Sequence, residues 1–218
     1  MNLKQQVAAF ALNYIKDVPI LGIGSGSTVN AFIEALADIK SHLEGCVPAS
    51  EGTAAYLKKY GLPVLSFNAV GTLSHYIDGA DEINRYGEAL KGGGAALVRE
   101  KILAQASRQW ICLVEASKVV KRLGARPVPV EVIPMARSFV ARELVKLCGD
   151  PVYREGVVTD NQHHILDVYH LQIEKPIMLE EAINKIPGVV YNGLFARRAA
   201  DIILVADPSG CHEVIPVR

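Results

Sequence analysis

Four short, mostly apolar segments, each too short for a buried helix, constrain the fold of this chain more than any other feature. They occupy residues 18–22, 73–77, 110–114 and 200–207. Segments with apolar residues at helical spacing alternate with them, at residues 4–16, 29–39, 53–60 and 95–106, and residues 63–67 form a further apolar run. This alternation is typical of a parallel sheet with helices on both faces. We therefore predict an α/β fold, with a Rossmann-like, mostly parallel sheet flanked by helices.

A different order of elements begins near Arg126. The pattern predicts a strand at residues 127–134, a helix at 135–148, strands at 151–159 and 164–171 joined by a DNQH turn, a helix at 177–185 and a strand at 188–195. This β-α-β-β-α-β order is that of a ferredoxin-like α+β unit. Because the run at 200–207 returns to the first pattern, we predict two domains. They are a main α/β domain (1–125 with 198–218) and a smaller inserted lobe (126–197).

Composition excludes several classes of protein. Lys and Arg balance Asp and Glu at 23 each, whereas nucleic-acid-binding proteins usually carry a basic excess. The apolar stretches are too short to span a membrane, and the N-terminus lacks the apolar core and cleavage site of a signal peptide. The four cysteines are far apart in sequence, which favours buried free thiols in a reducing cytoplasm.

The segment LGIGSGST at residues 21–28 reads as a strand, a glycine-rich turn and a helix start. Unpaired N–H groups and a partial positive charge make a helix start suitable for a phosphate. Ser25, Ser27 and Thr28 add hydroxyl donors, and Ser27 or Thr28 is expected to cap the helix. The dinucleotide fingerprint fails at its sixth position, and the P-loop lysine is missing. We favour anion binding over a plain capped turn, without a named ligand.

An acidic turn follows the second apolar run. Asp78 and Asp81 flank Gly79-Ala80 at the end of a predicted strand, where ligands collect in open parallel sheets. Glu82 is expected to face water. The segment DGADEINRYGEA lacks the spacing of a calcium loop, and the histidines are scattered, so no metal site is predicted.

A second glycine loop, KGGGAA, begins at Lys91. Three consecutive glycines are costly in backbone entropy, so close approach of a ligand or another backbone explains them better than a plain turn. Lys91 can supply a positive charge beside the acidic turn. Glu100, judged from the residues alone, is an ordinary solvated glutamate on a helix.

Together these segments resemble the ribose 5-phosphate isomerases of the A type. GIGSGSTVNAFIEAL is similar to the phosphate loop of that family, and IDGADEI and KGGGAALVREKI are nearly verbatim family signatures. EASKVVKRLG, PVPVEVIPMARS, GVVTDNQHHILDV and IPGVVYNGLFA follow in family order. So many motifs in the correct order are difficult to obtain by chance. Ser25, where many members have threonine, and Gly52 are departures that affect details of the site only.

The resemblance implies interconversion of ribose 5-phosphate and ribulose 5-phosphate through an enediolate, in the non-oxidative pentose phosphate pathway. It implies no metal or organic cofactor, and a cytoplasmic homodimer or tetramer. Glu100 matches the catalytic base, and Asp78, Asp81 and Lys91 match other catalytic residues. The implied substrate-binding residues are Ser25, Gly26, Ser27, Thr28, Asp78, Gly79, Ala80, Asp81, Lys91, Gly92, Gly93, Gly94 and Lys118.

These residue types fit that chemistry. One carboxylate can shuttle a proton between adjacent carbons, and Lys91 can stabilise the oxyanion without a metal. Either Asp78 or Asp81 could open the sugar ring. Two alternatives remain: a sugar-phosphate sensor domain, which would need a DNA-binding segment, and a coenzyme A transferase, which would need a nucleotide-sized cleft.

Overall fold

The computed structural model describes residues 1–217, except for the side chain of His42. Its helices and strands, in chain order, are α1 (Leu3–Ala11), β1 (Ile20–Ile23), α2 (Ser27–Ala37), β2 (Gly45–Pro48), α3 (Glu51–Lys59), β3 (Leu73–Gly79), β4 (Glu82–Ile83), β5 (Ala89–Leu90), α4 (Leu97–Ala106), β6 (Ser107–Glu115), β7 (Val128–Val132), α5 (Arg137–Lys146), β8 (Asp150–Tyr153), β9 (His164–Tyr169), α6 (Pro176–Asn184), β10 (Val189–Asn192), β11 (Leu194–Phe195), β12 (Ile202–Asp207) and β13 (Gly210–Val214).

A six-stranded sheet in the order β13-β12-β6-β3-β1-β2 forms the centre of the structure. All neighbouring strands are parallel except the β12–β13 hairpin. The four apolar runs that the sequence singled out form the inner strands, where both faces are buried. Helices α1, α2 and α3 cover one face, and α4 packs against the other. The prediction of a mostly parallel sheet flanked by helices is confirmed.

A four-stranded antiparallel sheet, in the order β10-β7-β9-β8, carries α5 and α6 on one face. Its β-α-β-β-α-β connectivity is the predicted ferredoxin-like order. A further small sheet, β11-β5-β4, was not predicted and pairs β11 with the strand immediately before Lys91. The division into residues 1–125 with 198–218 and residues 126–197 stays a prediction.

Several predicted strands were wrong in position. The edge strand of the central sheet is β2, whereas residues 63–67 contribute only a bridge from Val64 to Cys46. The strand predicted at 151–159 ends at Tyr153, and a longer connection leads to β9. The strand predicted at 188–195 is two strands that belong to different sheets. In each case pairing with distant strands, rather than the local pattern, sets the boundary.

The four cysteines are free, and Cys46 and Cys112 are buried as predicted. Cys148 is exposed and Cys211 is half-buried, so the expectation of buried thiols was wrong for these two. No helix within residues 1–217 is long and apolar enough to cross a lipid bilayer.

Candidate active site

A pocket of about 170 Å³ opens where β1, β3 and β6 end. The loops after these strands meet the glycine loop that precedes α4, because the carboxyl ends of parallel strands share one edge of the sheet. Twelve of the thirteen predicted substrate-binding residues line the pocket; the exception, Asp78, lies beneath it. The lining residues are Ser25, Gly26, Ser27, Thr28, Gly79, Ala80, Asp81, Lys91, Gly92, Gly93, Gly94, Glu100 and Lys118.

Asp78 is fully buried and held by several donors. Its Oδ1 accepts hydrogen bonds from the N–H groups of Gly79 (2.7 Å) and Ser25 (3.2 Å). Its Oδ2 accepts from the hydroxyl of Tyr76 and lies 2.7 Å from Lys91 Nζ. A carboxylate that accepts from this many donors is fixed in one orientation. Asp78 is therefore built to hold its neighbours in place.

The turn after β1 leaves no room for a side chain at Gly24. A Cβ placed on Gly24 would lie 1.9 Å from Asp78 Cγ. The Asp78 carboxyl therefore occupies the space that a larger residue at position 24 would need. This close approach explains one of the glycines in LGIGSGST.

Lys91 is almost fully buried, and its ammonium lies between two carboxylates. Nζ donates to the carbonyl of Gly79 at 2.7 Å, and lies 2.7 Å from Asp78 Oδ2 and 3.3 Å from Glu100 Oε2. Burial by itself lowers the pKa of Lys91, but the charges of Asp78 and Glu100 outweigh it and raise the pKa. Lys91 thus stays cationic on the pocket wall.

Glu100 is 3% exposed and faces the pocket from the first turns of α4. Its Oε1 accepts a hydrogen bond from Ser25 Oγ at 2.6 Å, and its Oε2 forms an ion pair with Lys91 Nζ at 3.3 Å. Burial raises the pKa of Glu100 to about 7; Lys91 opposes the rise and Asp78 adds to it. A carboxylate with a pKa near neutrality that lines a pocket is suited to general base chemistry.

The interpretation of Glu100 as a solvated helix residue was wrong. Helix α4 is enclosed between the central sheet and β10, so Leu97, Val98 and Leu103 are buried on different sides of it. Glu100 and Lys101 are buried while Ile102 is exposed, so the helix has no amphipathic stripe that would have marked Glu100 as pointing inward. The resemblance singled out Glu100, and the geometry now gives a physical basis for that choice.

Asp81 differs from Asp78 in its surroundings. It is half-buried and lines the pocket directly. Its Oδ2 accepts a hydrogen bond from the Gly93 N–H at 3.0 Å, and its own N–H donates to the carbonyl of Leu90. Of the two aspartates of the acidic turn, Asp81 is the one that a bound molecule can reach.

Helix α2 begins at Ser27 and directs its N-terminus at the pocket. Gly26 is the N-cap residue, with φ +96, and no side chain caps the helix. The prediction that Ser27 or Thr28 caps α2 was therefore wrong, because both lie inside the first turn. The uncapped N–H groups and these hydroxyls remain suited to an anion, and Lys118 lines the same pocket.

Sequence reasoning missed Lys4. This residue lies on α1, yet its Nζ donates to Ser27 Oγ at 3.0 Å, so it brings a second cation to the start of α2. Packing of α1 on α2 creates this proximity, and no local motif marks it. The proximity could have been found only from the tertiary structure.

The expectation that Glu82 faces water was also wrong. Glu82 is 3% exposed, and its carboxylate accepts hydrogen bonds from the N–H groups of Gly124 (2.7 Å) and Arg126 (2.6 Å). Because β4 lies at the edge of the small sheet against residues 119–126, its glutamate points inward and is satisfied by backbone donors of that segment. Glu82 thus has a structural role away from the pocket.

The fold and the site together define an α/β protein with a small pocket that is lined by a helix N-terminus, two lysines and two carboxylates. A family model described as ribose 5-phosphate isomerase A (phosphoriboisomerase A) matches residues 45–210. The ribose-5-phosphate isomerase A of Legionella pneumophila (strain Corby) is 57% identical over 212 residues, which cover 97% of this chain and 98% of the relative. The chain belongs to the ribose 5-phosphate isomerase A family.

Solved structures agree with this assignment. A ribose 5-phosphate isomerase A from Neisseria gonorrhoeae superposes with a TM-score of 0.97 at 42% identity, covering 99% of this chain and 97% of that one. A D-ribose-5-phosphate isomerase in complex with phospho-erythronic acid superposes with a TM-score of 0.93 at 34% identity, covering 99% and 100%.

Proposed function

We propose that this protein is an enzyme that interconverts D-ribose 5-phosphate and D-ribulose 5-phosphate through an enediolate. One observation carries the proposal: the Glu100 carboxylate, whose pKa burial raises to about 7, lies 3.3 Å from the Lys91 ammonium on the wall of an anion-binding pocket. A base tuned to neutral pH beside a fixed positive charge is what proton abstraction next to a carbonyl requires.

The phosphate binds at the start of α2. Backbone N–H groups there, the hydroxyls of Ser27 and Thr28, and the ammonium of Lys118 surround one end of the pocket. Lys4, hydrogen-bonded to Ser27, adds positive charge from α1. Binding energy from this remote group holds the reacting carbons at the other end.

Asp81, rather than Asp78, exchanges protons with the sugar oxygens and opens the ring. Asp81 lines the pocket, whereas Asp78 is fully buried and its oxygens accept from Tyr76, Ser25, Gly79 and Lys91. Asp78 acts through Lys91, since its charge keeps that side chain protonated.

Isomerisation then proceeds at C1 and C2. Glu100 removes the proton on C2, the C–H electron pair forms the C1–C2 double bond, and the C1 carbonyl electrons move onto O1. Lys91 stabilises the resulting enediolate. Asp81 takes the proton from the C2 hydroxyl and supplies one to O1. When the C2 carbonyl forms, Glu100 returns its proton to C1, and the enzyme regains its starting state.

The size of the pocket favours a sugar phosphate over a coenzyme A derivative. Its volume of about 170 Å³ lies below the roughly 300–1,000 Å³ of sites for drug-sized ligands. A sensor domain would bind the sugar phosphate without turning it over, so catalysis separates that alternative from the isomerase.

The test is to mix the purified protein with ribose 5-phosphate and to measure ketose formation. Glu100→Gln should lower kcat about a hundredfold or more, the usual contribution of a positioned base, with little change in KM. The kcat/KM of the wild-type protein should fall as the pH drops below about 7, because Glu100 is then protonated. Glu143→Gln, on the surface of α5, is the control. An isomerase rate in Glu100→Gln close to that of the control would remove Glu100 from the base role.

We also propose a cellular setting for the enzyme. The family resemblance supports a homodimer and a place in the non-oxidative pentose phosphate pathway. Free buried thiols at Cys46 and Cys112 suit a reducing cytoplasm. Chemistry by Glu100, Asp81 and Lys91 alone supports a reaction without metal or organic cofactor.

A further inference from the structure

An arginine from outside the central sheet reaches the glycine loop of the pocket. Arg154 follows β8, and its Nη1 donates to the carbonyl oxygens of Gly92 at 3.1 Å and Gly93 at 3.2 Å. Both glycines line the pocket. None of the sequence motifs pointed to this contact.

Asp167 on β9 fixes the direction of the guanidinium. Arg154 Nε lies 2.7 Å from Asp167 Oδ2, and Nη2 lies 2.5 Å from Oδ1. The pair is partly shielded, with side chains 18% and 14% exposed. A bidentate arginine–carboxylate pair has a defined geometry, so the remaining Nη1 is held toward the glycine loop.

The contact continues through one peptide bond to Asp81. The carbonyl that accepts from Arg154 and the N–H of Gly93 belong to the same peptide unit, between Gly92 and Gly93. That N–H donates to Asp81 Oδ2 at 3.0 Å. A peptide that accepts a charge-assisted hydrogen bond on one side donates more strongly on the other. Arg154 therefore strengthens the hydrogen bond that orients Asp81.

We propose that Arg154 is a positioning residue for the isomerase site: held by Asp167, it fixes the Gly92–Gly93 peptide and thereby the Asp81 carboxylate. This proposal rests on the proposed function, in which Asp81 moves protons between the sugar oxygens. It gives the antiparallel sheet a part in the reaction, although its strands contribute no residue to the pocket wall as described.

The location of the contact predicts which kinetic constant changes. The phosphate end of the pocket is formed by α2 and Lys118, and the Arg154 hydrogen bonds go instead to Gly92, Gly93 and Asp167. Loss of Arg154 should therefore lower kcat and leave KM nearly unchanged. Removing a charged hydrogen-bonding partner typically costs about 1.5–3 kcal/mol, which corresponds to a fall in kcat of roughly tenfold to a hundredfold.

The experiment compares Arg154→Ala with Arg137→Ala under saturating and limiting ribose 5-phosphate. Arg137 is a matched control because it lies in the same part of the fold and packs on the ring of Tyr153, next to Arg154. Millimolar guanidinium chloride should restore part of the kcat of Arg154→Ala. It should not raise the kcat of the control, and the same concentration of sodium chloride should restore neither variant.

If Arg154→Ala does not fold, Arg154→Lys is used, since lysine cannot span Asp167 and the loop together. The kcat of Arg154→Lys should fall at least about fivefold.

The outcomes separate the two proposals. An inactive wild-type protein refutes the proposed function and, with it, the role of Arg154. An active wild-type protein whose folded Arg154 variants keep kcat within twofold refutes the role of Arg154 alone. A fall in kcat that guanidinium does not reverse, or an equal fall in Arg137→Ala, also overturns the positioning role. A selective fall in kcat with guanidinium rescue supports it.

Discussion

Replacing Glu100 with glutamine should make the protein more stable above neutral pH while it removes activity. In the folded protein, burial raises the pKa of Glu100 from 4.5 to about 7. The folded state therefore holds this proton more tightly than the unfolded chain does. The stabilising contribution is fully present below pH 4.5 and is lost as the pH rises through 7.

The size of the effect follows from that rise in pKa, which corresponds to about 3 kcal/mol. Glutamine is neutral at every pH and can still accept the hydrogen bond from Ser25 Oγ. The difference in stability between the variant and the wild-type protein should thus be smallest near pH 5, at about 1 kcal/mol. Above pH 7.5 the variant should gain up to about 3 kcal/mol, or a rise in Tm of roughly 6–12 °C.

Urea unfolding from about pH 5 to pH 8 measures the difference. The single tryptophan, Trp110, reports unfolding because it is fully buried between Tyr76 and Phe195. Glu143→Gln on α5 is the control, and its effect on stability should not change over this pH range. A stability difference between Glu100→Gln and wild type that is the same at every pH would refute the argument that burial raises the pKa of Glu100.

Two further predictions concern the loop before α2. Alanine at both Ser27 and Thr28 should raise KM for ribose 5-phosphate about tenfold or more with a smaller change in kcat, because two hydroxyl donors to the phosphate are lost; steady-state kinetics checks this, and an unchanged KM contradicts it. Gly24→Ala should destabilise the fold by about 2 kcal/mol or more, since its Cβ would meet Asp78 Cγ at 1.9 Å. Gly71→Ala, where a Cβ meets nothing within 4 Å, should change Tm little.

The sequence predicted the parts of the fold in which local pattern and burial agree. Strands β6 and β12 carry continuous apolar runs, at residues 110–114 and 202–206, and lie inside the sheet. Strand β2 does not: only Cys46 and Val47 are apolar in it, and its glycine and proline have low strand propensity. Its place at the sheet edge comes from pairing with β1. Residues 63–67 show the reverse, an apolar run that forms a single bridge.

The residues of the candidate site also fall into two groups, those that the local sequence marks and those that only packing places. The glycine loops and the acidic turn could be identified because each contains its chemistry within a few residues. Glu100, Lys4 and Arg154 could not, since each depends on how a helix or strand packs against a distant element. The two aspartates were found together, but only burial distinguishes Asp78 from Asp81.

The small sheet β11-β5-β4 has a consequence for the order in which the site can form during synthesis. Strand β5 ends one residue before Lys91, and its partner β11 is translated much later. The N–H of Lys91 also donates to the carbonyl of Gly193 at 2.9 Å. A nascent chain therefore holds the whole acidic turn and glycine loop well before it holds the strand that pins Lys91. Until residues 193–195 leave the ribosome, the edge of β5 is unpaired, and the lysine is not yet fixed beside its two carboxylates.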